Sequence, residues 1–198
     1  MSTVVLLAGS PSPQSKSSLL LKRASQVLSG FGIQTRHFQL CDFPPADLIE
    51  ARWDSPAIKA LIDALGASDG LILSTPVYKA AYSGALKTVL DLLPERALEH
   101  KAALALVTGG SPAHLLAVDY ALQPVLSALK ARHIVGGVYA SERDFVTDEQ
   151  GRATPGDAIV QRLDDAVGRL IAHLPNPGNV LLQAGQLEQR VSHALISV

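Results

Sequence analysis

The 198-residue chain predicts an α/β three-layer sandwich, and three observations carry that reading. Strand-length apolar runs alternate with stretches of helical periodicity, five times over. Three of those runs, residues 3–8, 69–74 and 102–108, end in turns rich in serine, glycine or proline. The composition, 47% hydrophobic but only 5% aromatic, suits an aliphatic core and argues against disorder. The length is that of one domain with a sizeable core.

The first run, TVVLLA (residues 3–8), is β-branched and apolar throughout, as a central strand covered on both faces requires. It ends in GSPSPQSKSS (9–18), after which LLLKRASQVL (19–28) has helical periodicity. Five serines fall within residues 10–18, more than capping a helix requires. A helix N-terminus, serine hydroxyls and the charge of Lys16 together make a phosphate cradle. Neither GxGxxG nor GxxxxGK[ST] occurs, so a Rossmann fingerprint and a P-loop are both unsupported.

IQTRHFQL (33–40) reads as a second strand, nearer an edge because several positions are polar. Residues 41–54, with Pro44, Pro45 and Trp53, form a long connection of the kind that serves function or an interface. Ser55 and Pro56 give an N-cap and a first-turn proline to a helix that runs to about Leu65 and stops at Gly66.

A buried strand over residues 69–74 then leads into STPVYKAAYSGALK (74–87), the stretch on which the functional reading centres. It sits at a strand's carboxyl end, where open α/β sheets place their ligands. Pro76 removes a backbone donor and biases Thr75 towards an extended conformation, while Gly84 permits close approach. Tyr78 and Tyr82 add flat amphipathic surface and no nucleophile, which suits a planar, polar-edged ligand such as a flavin better than an ester to be hydrolysed. A helix over residues 83–93 follows, closed by Pro94.

Residues 102–108 resume a buried strand and run straight into Gly109-Gly110-Ser111. Residues 113–131 are long, apolar on several faces and contain Pro124, as in a buried or interfacial helix. In such a helix the N–H of residue 124 would bond the carbonyl of Tyr120, but proline has no N–H and crowds that carbonyl. A kink, or one turn of i→i+5 bonding around Tyr120, is therefore expected. The last strand spans residues 134–140, with Gly136 and Gly137 weakening its centre. Residues 141–156 read as a polar surface connection and 157–174 as a closing amphipathic helix. The chain thus divides into a domain of residues 1–175 and a C-terminal tail of residues 176–198.

The order of units and the serine loop on the first strand favour a flavodoxin-like arrangement, a five-stranded parallel sheet in the order 2-1-3-4-5. Right-handed crossovers would bring the turns after strands 1, 3 and 4 onto one edge. A net charge of −1 gives no case for a nucleic-acid partner, and 18 acidic against 17 basic residues lack the strongly acidic surface of a flavodoxin-type electron carrier. The single cysteine, Cys41, excludes an intramolecular disulfide and is expected to be a small buried hydrophobe in a reducing compartment. No run is long enough to span a bilayer and the start MSTVVLLAGS lacks a basic n-region, so a cytoplasmic protein is expected. The histidines are scattered without metal-ligand spacing, and Asp119 and His114 read as solvated or interfacial polar residues.

Three blocks, LAGSPSPQSKSSLL, TPVYKAAYSGALKTVLDLLPERAL and VTGGSPAHLLAVDYALQPVLSALKA, resemble the NAD(P)H-dependent FMN reductases. Within that family they are similar to the reductase components of two-component alkanesulfonate monooxygenase systems, up to about residue 140. The resemblance implies that FMN phosphate lies on Ser10, Ser15, Ser17 and Ser18. It puts the isoalloxazine against Pro76, Val77, Tyr78 and Lys79, with Ser83 nearby and the turn of Thr108, Gly109 and Gly110 closing the other side. It also implies hydride transfer from NADPH or NADH to FMN held as substrate or loose cofactor, a monooxygenase partner and a homotetramer. Tyr120 would lie in a π-helix at the tetramer interface as a regulator of flavin exchange, not as a catalytic acid. Many relatives carry arginine where this chain has Ser12, which leaves the phosphate charge to Lys16 or to weaker binding. The alternative is a prosthetic-FMN protein reducing quinones, azo compounds or metal ions. No Asp or Arg stands in a recognisable ribose-reading position, so NADPH and NADH both remain open.

Overall fold

The computed structural model describes residues 1–175, and the expected tail of residues 176–198 lies outside them. The elements are β1 (Thr3–Ala8), α1 (Lys16–Gly30), β2 (Gln34–Gln39), α2 (Pro45–Ile49), α3 (Pro56–Gly66), β3 (Gly70–Tyr78), β4 (Ala81–Tyr82), α4 (Gly84–Leu90), β5 (Ala102–Gly109), α5 (Gln123–Ala128), β6 (His133–Ser141), β7 (Phe145–Thr147), β8 (Ala153–Pro155) and α6 (Asp157–Ala172).

Alternation along the strands builds the three layers. Val5, Leu7, Leu71 and Leu73 point to the side of α3 and α4, whereas Val4, Leu6, Ile72, Leu104 and Leu106 point to α1 and α6. Burial of both sheet faces explains why these runs are continuously apolar.

The main sheet has six strands, not the expected five, with β2-β1-β3-β5-β6 parallel and β4 antiparallel on β3. The numbering 2-1-3-4-5 is corrected accordingly, and the flavodoxin-like parallel arrangement stands. The extra strand arises because Lys79 and Ala80 both take left-handed backbone angles, φ 49° and 66°, and turn the chain back in two residues. Val77 then faces Tyr82, and Tyr78 faces Ala81.

Residues 112–128 are not one helix. A 3₁₀ turn at Pro112–His114 precedes a π-helix at Val118–Leu122, and α5 follows. The Gln123 N–H bonds the Val118 carbonyl, the wide i→i+5 spacing that the proline argument allowed for. The glycines of β6 do more than weaken it, since the β5–β6 register shifts between Leu104 and Leu106 and bulges there. A Cβ at Gly137 would lie 2.5 Å from Val118 Cγ1, so the π-helix sits directly on that glycine.

The surface connection of residues 141–156 carries a 3₁₀ turn at Glu142–Asp144 and the β7–β8 hairpin. One further expectation is corrected: Cys41 is exposed, not buried. No helix among the described residues is long and apolar enough to cross a membrane.

Candidate functional site

Parallel register gathers the loops that the sequence singled out. Ala8 pairs with Ser74, Ser74 with Leu106, Pro76 with Thr108, and Gly109 with Ser141. The turns after β1, β3, β5 and β6 therefore open on one carboxyl edge.

On the β1 side, Ser15 caps α1 by accepting from the Ser18 N–H at 3.1 Å, and its Oγ lies 2.9 Å from both Ser17 Oγ and Ser18 Oγ. Ser10 Oγ accepts from the Ser12 N–H at 3.1 Å, and both Ser10 and Ser17 are buried. Hydroxyls thus cluster at the start of a 15-residue helix whose first N–H groups have no intrahelical acceptor. Ser74 Oγ adds a buried hydroxyl without a hydrogen-bond partner, and strand alternation puts it on the α1 side with Ile72. A buried donor left open beside such a cluster fits a polyanionic ligand group at this edge.

Lys16 is placed differently from the expectation. Its ammonium pairs with Glu142 in the turn after β6 and lies 5.4 Å from the centre of the Phe145 ring. Nothing in the spacing of residues 16 and 142 announces that pair.

The loops are locked together from below. The Ser83 Oγ donates to the Gly9 carbonyl at 2.5 Å and accepts from the Leu86 N–H at 3.1 Å, capping α4. The Ser83 N–H bonds Thr75 Oγ1 at 3.0 Å, and the Gly9 N–H bonds the Ser74 carbonyl at 2.7 Å. Ser83 is therefore a clamp between the serine loop and the β3–β4 hairpin, and Thr75 is its partner, a role the sequence reading did not give it. Gly9 is required there, because a Cβ would lie 2.8 Å from both Leu86 Cδ2 and the Ser74 carbonyl oxygen.

On the hairpin, Pro76 and Val77 are half-buried while Tyr78 and Lys79 are exposed. Across from it Thr108 is buried, Gly109 half-buried and Gly110 exposed. Gly109 leaves room for Tyr139, whose Oη donates to the Ser111 carbonyl at 2.5 Å. Burial, with a contribution from Asp144, pushes the Tyr139 phenol above its ordinary value. The Tyr82 phenol is also raised, by burial first, with Lys87 opposing and Asp91 adding to the rise. Both phenols stay protonated at neutral pH, so neither supplies an anionic base.

Tyr120 lies on the π-helix, which packs beside β4. Tyr120 is 78% exposed. No group of three or more His, Cys, Asp or Glu that could hold a metal occurs among the described residues.

A protein-family model described as NADPH-dependent FMN reductase matches residues 2–145. The FMN reductase (NADPH) of Escherichia coli K12 is 55% identical over 164 residues, covering 83% of this chain and 85% of that one. The protein of the same name from Pseudomonas putida KT2440 is 46% identical over 199 residues, covering 98% and 99%. Among solved structures, the apo form of the NADH:FMN oxidoreductase EMOB superposes with a TM-score of 0.78 at 36% identity, over 90% of this chain and 94% of that one. With the serine cluster, the hairpin and the glycine turn on one sheet edge, the chain belongs to the NADPH-dependent FMN reductase family.

Proposed function

We propose that this reductase takes FMN as a substrate that enters, is reduced by NADPH and leaves, and that the reduced flavin serves a flavin-dependent monooxygenase. The single observation that carries the reading is the carboxyl edge itself, where a hydroxyl cluster at a helix N-terminus adjoins an exposed, flat hairpin. Ser10, Ser15, Ser17 and Ser18 hold the phosphate, with Ser74 as an additional donor beside them. Pro76, Val77, Tyr78 and Lys79 support the ring on one side, and Thr108, Gly109 and Gly110 border it on the other. When bound, the flavin supplies the hydride acceptor. The protein's contribution is to bind and orient two rings, which needs no acid or base of its own.

Exposure of Tyr78 and Gly110 leaves the ring position open to solvent, which suits a flavin that must exchange. Tyr120 acts in that exchange: the π-helix lies beside β4, so a second copy docked there would bring Tyr120 side chains against the hairpin. The assembly is a homotetramer, the compartment is the cytoplasm, and the monooxygenase is one that cleaves alkanesulfonates. The three sequence blocks shared with reductases of that system support the last assignment.

Purified colour and NADPH oxidation with and without added FMN test the reading. Expected are colourless protein and oxidation that saturates with added FMN. Yellow protein that oxidises NADPH without added flavin, and passes electrons to quinones or azo dyes, would replace it with the prosthetic-flavin alternative. Sulfite release from an alkanesulfonate in a mixture with its monooxygenase tests the partner.

A further inference from the structure

Lys16 is the first residue of α1 and stands between two cradle serines, Ser15 and Ser17, yet its ammonium is engaged by Glu142. Glu142 reaches it from the opposite side of the edge, 126 residues along the chain. The turn that carries Glu142 does not depend on Lys16 for its shape. Asp144 Oδ2 accepts from both the Ser141 N–H at 2.7 Å and the Ser141 Oγ at 2.8 Å, closing the 3₁₀ turn on itself. Arg162 Nη2 fastens the same turn from α6, through Asp144 Oδ1 and the Tyr139 carbonyl, both at 3.2 Å. Phe145 is buried, with its ring under the Lys16 ammonium. Glu142 itself is left projecting, with 60% of its side chain exposed and Lys16 as its partner.

A carboxylate held by its own scaffold against the one lysine of the serine loop acts on the charge of that loop. We infer that Glu142 is a counter-anion that competes with the flavin phosphate for Lys16 and so sets how tightly FMN is held. This rests on the phosphate-cradle reading. While paired, the lysine offers the cradle little net charge, and the phosphate is bound by hydroxyls and the helix terminus. When phosphate enters, the flexible four-carbon stem lets the ammonium turn from Glu142 towards it, at the expense of the existing pair. Binding is therefore weakened by the pair it has to break, in the direction a released product requires. The effect is confined to ligands that carry the phosphate.

The experiment measures dissociation constants of FMN and riboflavin by flavin fluorescence, on wild type, Glu142→Gln, Lys16→Met and the double variant. Exposed ion pairs couple by up to about 1 kcal/mol, so Glu142→Gln is expected to bind FMN about three- to fivefold more tightly. Riboflavin affinity should not move, Lys16→Met should weaken FMN, and Glu142→Gln should have no effect in the Lys16→Met background. Glu142→Lys, with its charge reversed, should tighten FMN further and steepen the loss of affinity with salt. FMN affinity unchanged in Glu142→Gln, or riboflavin shifted by the same factor, overturns the inference and leaves Glu142 a tether between α1 and the turn. Wild type that fails to distinguish FMN from riboflavin overturns the cradle reading, and the inference with it.

Discussion

Four serines line the β1–α1 loop and the first turn of α1 without sharing one job. Ser15 caps the helix, while Ser10 and Ser17 are buried with few partners of their own, so these two have most to offer a phosphate. A hydrogen bond to a charged group contributes about 1.5–3 kcal/mol, so the Ser10→Ala/Ser17→Ala double variant should raise the apparent KM for FMN tenfold or more. Its turnover at saturating FMN should be largely kept, and an unchanged KM would place the phosphate elsewhere. Tyr139 offers a test by pH. Its folded-state phenol is raised above 10.0 by burial and Asp144, so the unfolded chain loses that proton first. The contribution is fully present below pH 10.0 and is lost as pH rises through the folded value. Urea midpoints at about pH 8 and about pH 10.5 should therefore fall more steeply for wild type than for Tyr139→Phe. Equal slopes would remove Tyr139 as the source.

At the scale of elements, the π-helix packs against β4, β5 and β6. Val118 rests on Gly137, where an added Cβ would also lie 3.1 Å from the Ala105 carbonyl oxygen. Overpacking of this kind costs about 1–3 kcal/mol, so Gly137→Ala should lower the thermal midpoint. Gly136→Ala, with nothing within 4 Å of its new Cβ, should not. Tyr120→Ala tests the functional side of the same element: protein that purifies with FMN bound and turns over free flavin poorly is expected. Colourless protein with wild-type turnover would make Tyr120 filler. This irregular helix was legible in the sequence because one residue, Pro124, removes one identifiable N–H. The β3–β4 hairpin was not, since its turn is Lys79-Ala80, and neither residue advertises a left-handed backbone as asparagine or glycine would. The serine cluster was legible as composition next to a strand end. The engagements of Ser83 with Gly9, 74 residues away, and of Lys16 with Glu142 were not, because they depend on which loops the parallel register brings together. Cys41 misled for a related reason: its type favours burial, but it sits in a 3₁₀ turn after the edge strand β2.

For the whole molecule, the surface beside the site points to assembly. Leu115 is 51% exposed and Leu116 58%, one turn before the exposed Tyr120 on the same irregular segment. Large apolar side chains scattered singly are ordinary, but three on one segment form a patch that water solvates poorly. The segment also adjoins β4, so a symmetric contact through it would place the hairpins of two copies near the interface. Assembly and flavin exchange would then be linked, because any ligand that prefers one arrangement of the interface shifts its population. Light scattering should give a mass of four chains for wild type, and Leu115→Glu/Leu116→Glu should lower it by burying unpaired charge at the contact. If the linkage holds, FMN affinity should change in the same variant although neither leucine belongs to the serine loop or the hairpin. A wild type that stays monomeric at every concentration, with and without FMN, would remove both the tetramer and the route by which Tyr120 is proposed to act.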